Sequence, residues 1–178
     1  MSSSNNNAFN DRLNQHKKAL RGIDGHMVEA GWFETARYKA GKGVSADMVG
    51  FSIAQVAKWN EFGTSRTVES KSEDGHTVVT IVEHIPARPF MRYAQALFNK
   101  DRHEIQARVG KKLIEGKIDA VQALGQIGNA LEGKIVLSIK TGPWPPNAPS
   151  TAAAKGFAKN TPLIDTGQMF KTVSSKVS

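Results

Sequence analysis

The chain contains no cysteine, so no disulfide can staple it and it offers no thiolate nucleophile or thiolate metal ligand. That absence suits a reducing compartment. Aromatic residues make up only 7% of the chain, and the hydrophobic fraction of 39% is low for a globular protein. Part of the length is therefore expected in arms, loops and partner-facing surface. No apolar run approaches the roughly 20 residues a membrane-spanning helix needs, and no membrane contact is expected. The opening MSSSNNNAFNDR lacks a basic n-region and an apolar h-region, so it does not read as a signal peptide. What remains, 178 residues, is enough for one domain with a single core.

Chemistry is equally sparse. The histidines, His16, His26, His76, His84 and His103, fall in separate segments without His-x3-His pairing. Glu73 and His76 have a ligand-like spacing, but Asp74-Gly75 between them marks a turn. Lys42 stands between glycines without the spacing of a phosphate loop. No Gly-x-Ser-x-Gly elbow occurs. Glu61 and Asp165 are lone carboxylates in separate motifs, and Glu61 is expected to bond backbone amides or an arginine. No enzyme activity, metal or cofactor is expected.

The net charge of +8 is unevenly spread. Residues 61–83 hold five carboxylates against Arg66 and Lys71, a net of −3. Residues 84–112 hold seven basic side chains against Asp101 and Glu104, a net of +5, and the last 38 residues add +3. A basic helix can follow DNA phosphates. It can equally be a solvated face, since aromatics do not interleave with the charges as single-strand binders require. Opposite-sign patches can also pair between neighbouring copies in a ring.

Along the chain, residues 1–7 read as a disordered, flexible arm. Residues 8–21 form a short amphipathic helix on Phe9, Leu13 and Leu20, and Met27–Tyr38 suits a strand. Ile53–Asn60 predicts a short helix ending at Gly63, a glycine cap position. Arg66–Ser70 and Thr77–Glu83 flank Asp74-Gly75 as a hairpin. Val78, Val79, Ile81 and Val82 do not alternate cleanly, which predicts a strand buried on both faces or paired with another chain. From Phe90 to Ile139 apolar residues recur at helical spacing, predicting two helices broken near Gly110–Gly116 or one long kinked helix. Pro143, Pro145, Pro146 and Pro149 then interrupt helix, Ser150 or Thr151 caps a short helix, Leu163–Gly167 is a tight turn, and Met169–Val177 reads as a final strand. The expected class is α+β: a small antiparallel sheet with a charged hairpin, packed by two long helices.

Five segments carry a resemblance. They are Trp59-Asn60-Glu61-Phe62-Gly63-Thr64, Ile85-Pro86-Ala87-Arg88-Pro89-Phe90-Met91-Arg92, Pro145-Pro146-Asn147-Ala148-Pro149-Ser150-Thr151, Lys155-Gly156, and Pro162–Gln168 with Asp165 and Gly167. In this order, over about two-thirds of the chain, they resemble the tail-completion and head-tail joining proteins (virion morphogenesis, neck type) of long-tailed bacteriophages. The resemblance implies a non-catalytic virion protein assembled in the host cytoplasm. It implies a homo-oligomeric ring, hexamer favoured over dodecamer, whose partners are the tail tube and neck or connector proteins. Passing DNA is then a weak, non-specific contact. The alternative is a sequence-independent nucleic-acid-binding protein. The hairpin at residues 67–84 departs from the pattern, since many relatives pass almost directly from the glycine corner to the Pro-x-x-Pro segment.

Roles follow for individual residues. Phe90 is expected to anchor the long helix, Pro86 and Pro89 to set its direction, and Trp59 with Phe62 to close the corner beside it. Residues 143–162 are expected to be a docking loop, with Trp144, Pro145, Pro146 and Asn147 exposed until a neighbour covers them. The competing expectation is that Trp144 covers helices of its own subunit.

Overall fold

A computed structural model of the chain describes residues 2–41, 43–44, 46–72, 74, 76–155 and 161–178. In chain order the elements are α1 (Ser2–Arg21), β1 (Val28–Gly31), α2 (Ile53–Phe62), β2 (Thr64–Lys71), β3 (Thr77–Ile85), α3 (Phe90–Ile114), α4 (Ala120–Thr141), α5 (Pro149–Ala154), α6 (Gln168–Lys171) and β4 (Ser174–Val177). The fold is α+β, with two antiparallel two-stranded sheets among the described residues, β1–β4 and β2–β3. The residues group into two compact units, each assembled from separate stretches of chain.

The first unit holds the chain up to Gly31, Gln95–Lys134 and Ser174–Ser178. The apolar stripe read from the sequence is its core: Ile105, Val109 and Leu113 of α3 meet Ala123 of α4, with Phe98, Ile118, Ile127, Ala19 and Ile23 packed around them. Burying each large aliphatic side chain stabilises by roughly 1.5–3 kcal/mol. The break between the long helices has clear local causes. Gly116 takes a φ of +71°, and the Gly116 and Lys117 N–H groups donate to the Leu113 and Lys112 carbonyls, the crossed pair of a Schellman stop. Asp119 then starts α4 as a capping box: its carboxylate accepts the Gln122 N–H at 2.7 Å, and the Gln122 side chain accepts the Asp119 N–H at 3.1 Å. Gly110 lies inside α3 and does not break it. β4 pairs with β1 in the register Glu29↔Lys176, where an ion pair at 3.0 Å joins the two side chains.

The second unit holds Trp32–Ala94 and Ile135–Val173. Its core gathers Ile53 and Ala57 of α2, Phe90 and Ala94 of α3, Ile135 and Ile139 of α4, and Met169 of α6. Ser52 caps α2 by accepting the Gln55 N–H, and Gly63 ends it with a φ of +74°. A side chain at Gly63 would press on the Ile85 carbonyl at 2.9 Å, so the corner is closed to other residues twice over.

Several expectations need correction. α1 begins at Ser2, so the helix expected over residues 8–21 takes in residues 2–7 as well; once a helix is nucleated, each further residue adds a hydrogen bond at little cost. Only Val28–Gly31 of the Met27–Tyr38 stretch is strand, because the polar residues around Glu34 turn the chain away. The expected hairpin is present, and its ladder, from Thr64↔Ile85 to Lys71↔Thr77, runs somewhat further than the segments read from the sequence. Gly75 of the expected Asp74-Gly75 turn lies outside the described residues. Burial of β3 on both faces is overturned, since Val78 and Val79 are exposed. Neither Ser150 nor Thr151 caps α5: Ala148 takes the cap position without a side-chain bond, and Pro149 opens the helix with its φ already set. The Met169–Val177 strand starts only at Ser174, because Gly167, with a φ of +77°, initiates the short α6 first.

Candidate functional site

In the second unit the segments singled out by sequence meet around one feature, a cavity of about 280 Å3. Asn60 of the glycine corner, Pro86 and Arg88, Asn147, Lys155, and Asp165 with Gly167 all line it. Each of the five segments contributes at least one wall residue. Val44, Met48, Val56, Leu163 and Met169 supply apolar wall, and Tyr38 adds a phenol.

Arg88 organises the arrangement. It is only 5% exposed, and its guanidinium reaches two chain segments. Nε donates to the Pro145 carbonyl at 3.0 Å, Nη1 to Asn60 Oδ1 at 3.2 Å, and Nη2 to the Pro146 carbonyl at 3.1 Å and Asn147 Oδ1 at 3.5 Å. Its backbone N–H donates to the Asn60 carbonyl at 2.7 Å. Asn60 is itself fixed, because its side-chain amide donates to the Val56 carbonyl. A planar, multiply donating cation suits carbonyl oxygens arriving from several directions, and a lysine could not replace it. The proline-rich segment is thus tied to the end of α2.

Glu61, the neighbour of Asn60, faces the other way. It is buried, and its carboxylate accepts the Met91 N–H at 2.7 Å and the Arg92 N–H at 3.4 Å, with Arg92 Nε at 3.2 Å. Phe90 is fully buried, edge-on to Trp32 with ring centres 5.8 Å apart. Trp32 Nε1 donates to the Met169 carbonyl at 2.7 Å, which locks α6 beside it. Trp59 packs on Phe51, with ring centres 5.4 Å apart. Phe62 does not close the corner: it is 67% exposed, because the last turn of α2 points it outward just before Gly63 reverses the chain.

Trp144 is half-buried rather than exposed. Its ring meets Tyr93 edge-on at 5.6 Å and its Nε1 donates to the Ser138 carbonyl at 3.1 Å. The competing expectation, an indole covering its own helices, describes it better. Gly142 permits this, since a Cβ there would collide with the indole. Pro143, Pro145 and Pro146 remain exposed.

Also lining the cavity, Lys155 donates from Nζ to the Ile164 carbonyl at 2.8 Å and the Thr161 carbonyl at 3.2 Å. Burial pushes its ammonium below the usual lysine range and the Arg88 cation presses the same way, while the Asp165 carboxylate holds it up. The Tyr38 phenol is pushed up to about 12, chiefly by burial and then by Asp165. Gln168 grips the loop before α2 through a reciprocal pair: Lys39 N–H to its Oε1 and its Nε2 to the Lys39 carbonyl, both at 2.8 Å. Leu163 holds a left-handed φ of +63°, uncommon for leucine, in the turn that presents Asp165.

Sequence reasoning did not single out Tyr38 or Ser138. Ser138 is fully buried, with its hydroxyl donating to the Phe90 carbonyl at 2.6 Å. Its place on the apolar stripe, next to Ile139 and three residues past Ile135, was the available signal. Glu61 and Asp165 serve different neighbours, so the two carboxylates do not act as a pair. Among the described residues no group of three or more His, Asp or Glu side chains is gathered that could hold a metal ion. No described helix is long and apolar enough to cross a membrane. No protein-family model, curated protein or solved structure matches the chain. Buried charges and amides here fix the path of three segments and hold a proline-rich surface in one shape.

Proposed function

We propose that this chain is a structural virion protein of a long-tailed bacteriophage, a ring-forming tail terminator, completion protein or neck adaptor. In this reading it joins the tail tube to the head connector around the DNA channel and catalyses nothing. The observation that carries the reading is the convergence of the five segments on one site in the second unit, with Arg88 at its centre. The residues responsible for the resemblance to tail-completion proteins act together there to shape one surface. Exposed Pro145 and Pro146, tethered from behind by Arg88, lose little entropy on docking. Copies of the same chain, tail tube and neck proteins are the partners, the virion tail or neck is the location, and a hexamer is the favoured ring. Mass spectrometry of purified particles tests this: the chain is expected at a fixed, ring-like copy number, and its absence from particles would overturn the reading.

A second reading rests on α3, where Arg92, Lys100, Arg102, Arg108 and Lys111 are exposed. Basic side chains along one helix can follow a phosphate backbone without reading bases. For an adaptor, binding to duplex DNA should be weak and indifferent to sequence. Tight binding at physiological salt, with a steep salt slope, would favour the nucleic-acid reading instead.

A further inference from the structure

Residues 144–148 lie in no helix, strand or turn, and the prolines dictate their path. Pro145, Pro146 and Pro149 fix their own φ, and each keeps the residue before it out of the helical region. Ala148 sits at φ −57° and ψ 148°, close to polyproline II geometry. That helix repeats every three residues, and the exposure follows the same period. Trp144 and Asn147 are half-buried, while Pro145 and Ala148 on one face, and Pro146 and Pro149 on the next, are exposed. With the Pro145 and Pro146 carbonyls held by Arg88, the segment is a preformed proline ridge.

The same unit exposes an aromatic patch. Phe62 stands out from the last turn of α2. Trp59, three residues earlier and so on the same side of the helix, packs against Phe51, which is also exposed. Beside Phe62 lies an open hollow lined by Gly63, Thr64, Ser65 and Ile85. Exposed apolar clusters mark interaction sites. Aromatic-lined grooves in particular take polyproline II ligands, whose rings are already locked in place.

Within one copy, ridge and patch lie on different sides of α2. Positions two apart on a helix point to nearly opposite sides. Asn60 turns toward the ridge, its Oδ1 accepting from Arg88, so Phe62 faces away from it. Two different, chemically complementary surfaces on one chain are what a head-to-tail contact requires, and such contacts make rings when the rotation closes. We propose that the proline ridge of one copy docks on the Phe51, Trp59 and Phe62 patch of the next. The inference rests on the reading of the chain as a ring-forming subunit and names the contact that builds the ring.

The test uses the full chain. Sedimentation velocity is expected to show association that grows beyond dimers as concentration rises. Phe62→Asp removes the exposed ring, and Pro146→Ala with Pro149→Ala removes one face of the ridge while keeping both carbonyls. Circular dichroism should be unchanged in either variant, and each alone should associate at least about tenfold more weakly than the parent. Mixed in equal amounts, the two should form a dimer that goes no further. The intact ridge of the first then meets the intact patch of the second, and no other undamaged pair remains. A parent that stays monomeric at every concentration would overturn the contact. So would variants that associate as tightly as the parent, or a mixture no more associated than its components. Copy number in particles is read separately. The mixed dimer with no chain in particles would sink the virion reading and leave this contact standing; a fixed copy number without the mixed dimer would do the reverse.

Discussion

The Glu61 carboxylate, on the last turn of α2, accepts the Met91 backbone N–H at 2.7 Å and so closes the N-terminus of α3. Pro89 stands at the position where a helix usually supplies its own cap, and it has no side-chain acceptor. The carboxylate is borrowed from another helix, and its charge complements the helix dipole. Glu61→Gln is expected to lower stability by about 1–2 kcal/mol and Glu61→Ala by more, since the amide keeps one acceptor but loses the charge. Urea denaturation checks this. The Arg92 pair adds little, its side chain being 66% exposed.

Arg88 joins the glycine corner to the proline-rich segment. Arg88→Lys should cost about 2–3 kcal/mol despite conserving charge, because one ammonium cannot serve acceptors lying in several directions. Limited proteolysis should show the segment around Pro145–Asn147 cut faster in the variant. Equal cleavage rates would mean that the tether does not hold that segment.

Trp144 rests on Tyr93 and bonds the Ser138 carbonyl, so Trp144→Ser is expected to lower the melting temperature, at a cost of about 2–4 kcal/mol. In the proposed adaptor, docking would then fall to its exposed neighbours. Pro146→Ala keeps the carbonyl that Arg88 binds while removing the ring, so thermal stability should hold within about 0.5 kcal/mol while incorporation into particles falls. Unaltered incorporation would remove Pro146 from the docking surface.

Tyr38 predicts an alkaline transition. Its phenol titrates near 10.0 when unfolded and at about 12 when folded, because burial and the Asp165 carboxylate disfavour the phenolate. The folded state therefore keeps its proton longer. Stability from this group is complete below pH 10 and is lost as pH rises toward 12. Tyr38→Phe should flatten that decline in denaturation midpoints, and phenolate absorbance should resolve one late-titrating tyrosine in the parent.

The helix boundaries were legible where a local rule set them. Gly63 and Gly116 end helices because both take a positive φ; Asp119-x-x-Gln122, whose side chains reach back to their own backbone, was an equally local signal that sequence reasoning did not use. The convergence of the five segments was legible only as a list of positions. Which acceptors Arg88 would find depends on the approach of residues 57 and 58 places later in the chain, and no local pattern encodes that distance. Phe62 misled for the same reason: an aromatic in a corner looks like core until the direction of the last helical turn is known. Tyr38 carries no local signal, since the burial and the Asp165 charge that act on it come from parts of the chain remote in sequence.

The central claim of the proposed function is that the chain joins virion parts rather than catalysing a reaction or serving as a nucleic-acid-binding protein. The most direct measurement is electron microscopy of particles made by the parent phage with this gene deleted, with and without the chain supplied in trans. The account predicts filled heads and complete tails that stay separate, rejoined when the chain is restored and left unjoined by a variant defective in docking. Intact, infectious particles without the chain would contradict it.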